Sequence, residues 1–92
     1  FEIKQLDDQD IKKYKIKEIT KGIIISNVKN NSKAYKSGLR EGMIIVRVGQ
    51  SEVTDLNVIS EAIEKAKRQK RNALLMLINF EGNDRFVAVE IF

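Results

Sequence analysis

Apolar and polar positions divide the chain into short β-type runs and one longer helical stretch. Residues 1–5 alternate, Phe1 and Ile3 against Glu2 and Lys4, with the two-residue period of a strand buried on one face. Residues 23–28 (Ile-Ile-Ile-Ser-Asn-Val) are mostly β-branched and sit between Gly22 and a polar run at 29–32, so a second strand is expected. Residues 43–48 predict a third, and Glu52-Val53 a brief return strand across a Gly49-Gln50 turn. Residues 73–80 are apolar apart from Asn79, the pattern of a central strand buried on both faces. Residues 85–92 set Phe86, Ala88 and Glu90 against Val87, Val89 and Ile91. They close a hairpin across a turn at 81–84.

The helical period shows in Leu56, Ile59, Ile63 and Ala66, with Ala62 beside them. This predicts a helix from Leu56 to about residue 70, capped by Thr54 or Asp55. Asp7, Asp8 and Asp10 precede Ile11-Lys12-Lys13-Tyr14, acid first and base last, as a short helix prefers. Ser32 can cap a single helical turn, which Gly38 stops in a left-handed conformation before Gly42 turns the chain into the next strand. With no proline, repeat or linker, residues 1–92 read as one domain of the α+β class, mostly β. The architecture expected is a small, partly open antiparallel β-barrel or sandwich. It has five to six strands, one main helix and one or two short helices.

Composition narrows the chemistry. Seventeen Lys and Arg against thirteen Asp and Glu give a net charge of +4. The densest basic cluster, Lys65, Lys67, Arg68, Lys70 and Arg71, falls at a helix end, where cations complement the macrodipole. No aromatic residue interleaves it, so nucleic acid is not an expected partner. The run from Lys12 to Lys17 reads as a solvated face. No apolar run approaches the roughly 20 residues that cross a bilayer. The chain has no histidine and no cysteine, which removes Ser-His-acid and Cys-His catalysis and zinc sites with nitrogen or sulfur ligands. The aspartates at 7, 8 and 10 lack the glycine and glutamate of a calcium loop. No catalytic residue, metal or cofactor is expected.

The order of parts carries a resemblance. Gly22-Ile23-Ile24-Ile25-Ser26-Asn27-Val28, then Ser32-Lys33-Ala34, then Ser37-Gly38-Leu39-Arg40-Glu41-Gly42-Met43-Ile44-Ile45 resembles a PDZ domain. The closer likeness is to the bacterial type carried by HtrA/Deg (DegP-like) serine proteases. Val48-Gly49-Gln50, Val53-Thr54, Asp55-Leu56, Ala62-Ile63 and Ala66-Lys67 extend it. The ending, from Ala73 through Gly82 to Ala88, looks most like their second, C-terminal PDZ domain. Two departures stand out: Asn31-Ser32-Lys33-Ala34 where the family commonly has Gly-Ser-Pro-Ala, and Met43 where it has aspartate.

The resemblance implies a non-catalytic module that binds unfolded or extended polypeptide segments and protein C-termini. It also implies contact with other domains or subunits of a parent protease, and a periplasmic location. The expected mode is β-augmentation: a peptide adds as a strand beside residues 1–5, in a groove walled by the 56–70 helix. The candidate peptide-binding residues are Phe1, Ile3, Lys4, Leu56, Ile59, Ser60 and Ile63. By helix phase Leu56, Ser60 and Ile63 face the groove, whereas Ile59, Ala62 and Ala66 face the core. The family's carboxylate-binding loop would lie before Phe1. An assembly role, holding protease subunits together, is the alternative, as is a PDZ domain of another envelope protein.

Overall fold

The computed structural model describes residues 2–17 and 22–90. Phe1, Ile91 and Phe92, all assigned to strands above, lie outside those residues. The elements are β1 (Glu2–Gln5), α1 (Asp8–Lys13), β2 (Ile23–Asn27), α2 (Lys33–Ser37), β3 (Ile44–Val48), β4 (Ser51–Glu52), α3 (Leu56–Arg68), β5 (Ala73–Phe80) and β6 (Asn83–Glu90). All six strands join one antiparallel sheet in the order β1-β2-β3-β5-β6, with β4 paired to β3. The mostly-β fold with one main and two short helices is the one the sequence predicts.

Short polar side chains set the helix starts. At α1 the Asp7 carboxylate accepts the Asp10 N–H at 2.9 Å, and Asp10 accepts the Asp7 N–H at 3.2 Å, a reciprocal cap. Ser32 Oγ accepts the Tyr35 N–H at 3.2 Å to start α2, and Gly38 ends it at φ 109°. Asp55, rather than Thr54, caps α3, accepting the Asn57 and Val58 N–H groups at 2.8 and 3.3 Å. The β5–β6 turn is shorter than expected. Glu81 and Gly82, at φ 54° and 82°, make a two-residue loop, and Asn83 already pairs with Phe80.

Burial corrects one expectation. The strand enclosed on both faces is β2, where Ile23, Ile24 and Ile25 are each 0% exposed. In β5 burial alternates instead: Leu74, Met76 and Ile78 are buried, and Leu75 is 49% exposed. Ile23 and Ile25 belong to the main core, with Leu39, Ile45, Val48, Ile59, Met76, Ile78 and Val89. Ile24 faces the other way and pairs with Lys4 and Ile44. An unbroken apolar run therefore does not by itself tell a doubly covered strand from one with an apolar outer face.

Met43 is 2% exposed and takes over an acceptor's role. Its Sδ receives the Arg40 N–H at 3.3 Å, so the loop before β3 keeps a side-chain acceptor without aspartate. Gly42 answers to two constraints. Its φ is 92°, and a Cβ there would stand 2.8 Å from Tyr14 Cδ1. Gly49, at φ 60°, has nothing within 4 Å of that point. Gly49→Ala should therefore cost about 1–2 kcal/mol from its left-handed backbone alone, and Gly42→Ala, which adds the clash, about 3 kcal/mol, as measured by urea unfolding. Equal losses at the two positions would contradict this packing.

Candidate functional site

Among the described residues β1 has a strand neighbour on one side only. Leu6 N–H donates to Gly22 O at 2.8 Å, which aims the even-numbered groups of this segment at β2. Alternation then turns the N–H and C=O of Ile3 and Gln5 the other way. The partner strand agrees: Ile25, opposite Ile3, donates to Met43 O at 2.8 Å and accepts from Gly42 N–H at 2.9 Å, leaving nothing for β1. The outer border of β1 thus carries backbone donors and acceptors without strand partners among the described residues.

α3 packs beside this border, against β1 and against β3 and β5. Ile59 and Ala66, 1% and 2% exposed, mark its buried line. Val58, Glu61, Ala62 and Lys65 lie on one flank, beside a 590 Å³ cleft shared with the β3–β4 hairpin at Gly49 and Gln50. At about 100° per residue, Leu56, Ser60 and Ile63 fall on the opposite flank. Ser60 is exposed, Leu56 is 37% exposed, and Ile63 and Ile3 are half-buried on the core's margin. The geometry joins an unpaired strand border, a half-buried isoleucine on each wall and an exposed helix flank.

Two candidate residues are placed differently. Ile59 is closed within the core and can only support the groove from below. Lys4 pairs with Ile24 and so lies on the sheet face away from the main core. Its ammonium meets Asp7 at 3.0 Å and Asp10 at 3.1 Å, tying β1 to the start of α1. A residue the sequence reading did not single out, Gln5, contributes through its backbone. Strand parity could have indicated it once the pairing with β2 was known. Among the described residues no group of three or more acidic side chains is placed to hold a metal ion, and no helix is long and apolar enough to cross a membrane.

The PDZ domain family model matches residues 1–79, and the chain belongs to the PDZ family, whose domains are non-catalytic modules. Its curated relatives carry the name probable periplasmic serine endoprotease DegP-like. The Bartonella henselae protein is 32% identical over 71 residues, covering 77% of this chain, and the Rhizobium meliloti protein is 37% identical over the same length. The chain spans 14% of the length of each. Among solved structures, the HtrA3 PDZ domain bound to a phage-derived ligand (FGRWV) superposes with a TM-score of 0.74 at 20% identity. That match covers 97% of this chain and 78% of the other, and it establishes the fold.

The ion pairs at the foot of β1 perturb titration. The Asp7 carboxyl is held below the usual carboxylate range, first by the Asp10 N–H and then by Lys4. Hydrogen bonds to Asp7 and then Asp10 raise Lys4 above the ordinary lysine value. The Asp7 contribution is therefore complete above about pH 4 and is lost as pH falls through its lower folded value. That of Lys4 is complete below about pH 10 and is lost as pH rises through its higher folded value. Carboxyl NMR should find the Asp7 midpoint below that of an unstructured aspartate, moving upward in Lys4→Gln. An unmoved midpoint would show the pair to be absent in solution.

Proposed function

We propose that this domain binds extended polypeptide segments, including chain ends, by β-augmentation, as a substrate-recognition module of a periplasmic DegP-like serine endoprotease. The observation that carries the reading is the border of β1. The outward amides and carbonyls of Ile3 and Gln5 lie beside the flank of α3 that bears Leu56, Ser60 and Ile63. Backbone hydrogen bonds would supply affinity for any sequence, and alternate side chains would be selected between Ile3 and that flank. The peptide bound by the HtrA3 PDZ domain, a structure of the same fold, supports the reading. So do the names of the relatives, which supply the periplasmic setting and the protease that the module would regulate.

Titration of the labelled domain with a pentapeptide ending in an apolar residue, followed by NMR, should shift the amides of residues 2–5 and 56–63. Leu56→Arg, at a part-exposed site, should weaken binding on the order of tenfold. Gln5→Pro removes one outward donor on an edge strand, where proline is tolerated, and should weaken binding about fivefold with little change in stability. Shifts gathered elsewhere, or affinity unchanged in both variants, would refute the groove.

A second reading, an assembly role in the parent protease, is favoured by the outer face of the β5–β6 hairpin. Leu75 there is 49% exposed and Phe86 66% exposed, and each belongs to a cross-strand pair, Leu75 with Ala88 and Phe86 with Leu77. If that face joins domains or subunits, Leu75→Glu with Phe86→Glu in the full-length protein should reduce oligomer size in light scattering and leave peptide binding intact. An unchanged assembly would remove this reading.

A further inference from the structure

We propose that a second binding site lies on the face of the sheet opposite α3, an apolar cleft rimmed by lysines that takes an acidic peptide segment bearing one large apolar side chain. The cleft measures 540 Å³ and runs between the stretch after α1 and the β5–β6 turn. Half-buried Tyr14 and Ile16 line it with buried Ile44, and Phe80, which also packs against the main core, stands at its margin. Exposed Lys13, Lys15 and Lys17 alternate along the stretch with half-buried Tyr14 and Ile16. Among the described residues of the lining, Glu81 is the one acidic side chain, against these three lysines.

The stretch is held in place from within. Ile16 N–H closes on Ile11 O at 2.9 Å, the six-to-one bond that ends a helix with a left-handed residue. That residue is Lys15, at φ 52°, where glycine would be the unstrained choice. Lys13 Nζ lies 5.2 Å from the centre of the Tyr14 ring.

Charge complementarity selects the occupant. Three cations over an apolar floor attract a ligand that carries carboxylates on either side of a phenyl or leucyl group. The hollow suits a side chain with its flanking backbone better than the flat surface of a lipid headgroup layer. This site is separate from the groove beside β1, and the proposal stands whether or not that groove binds peptide.

The probe is a peptide of sequence EEFEE, acetylated and amidated so that it offers no terminal carboxylate, titrated into the labelled domain. The amides of Tyr14, Ile16, Gly42 and Gly82 should shift, while those of Ile3, Gln5 and Ser60 stay fixed. Affinity should fall on the order of tenfold in the double variant Lys13→Glu, Lys17→Glu, and should weaken as salt is raised. Replacing the peptide's phenylalanine by glycine should weaken it by a similar factor. Four outcomes overturn the proposal: no binding at millimolar peptide, shifts confined to β1 and α3, equal affinity for KKFKK, or lysine-dependent binding to anionic phospholipid vesicles without binding of the peptide.

Discussion

Three consecutive isoleucines with no exposed surface set the terms for the rest of the domain. Successive side chains of a strand point to opposite faces, so burying Ile23, Ile24 and Ile25 together requires cover on both sides of β2. Each such side chain contributes roughly 1.5–3 kcal/mol when removed from water. One cover is the main core with Ile59 and Ala66 of α3. The other lies where the chain after α1 brings Tyr14 close to Gly42 and leaves Ile44 3% exposed. A small sheet thus acquires two layers from 92 residues.

That double cover explains the state of β1. The strand reaches the sheet on the far side of β2 and finds one partner there. Its inward residue, Ile3, packs at the margin of the core, and its outward residue, Lys4, is fixed by the two carboxylates at the head of α1. Both side-chain faces of β1 are thereby engaged while one line of backbone groups is left over. An open border of this kind is usually a hazard, because any extended chain can pair with it. Here α3 packs alongside, and in the function proposed above that neighbour turns a general hazard into a selective groove.

The surface divides by chemistry in a way that follows from the same layering. The flank of α3 toward β1 is part apolar, and its other flank shares a cleft of mixed charge with the β3–β4 hairpin. On the opposite side of the sheet, aromatic and aliphatic groups lie beneath lysines. On the outer face of the β5–β6 hairpin, Leu75 and Phe86 stay open to solvent.

Local chemistry was legible from sequence because its causes are local. Asp7 with Asp10, Ser32 and Asp55 each lie two or three residues from the amides they cap, and Gly38 and Gly42 occupy left-handed conformations set within their own loops. Strand and helix positions followed from periodicity, and the absence of histidine and cysteine limited the chemistry before any contact was known. What depends on pairing was not legible. An apolar run does not state which neighbours will cover it, so β5 was expected to be doubly buried and β2 is. Register alone assigned Lys4 to the face away from α3 and turned the amides of Ile3 and Gln5 outward. The sequence alone determined the elements and their caps; tertiary structure decided which edges and faces stayed open, because those depend on neighbours distant along the chain.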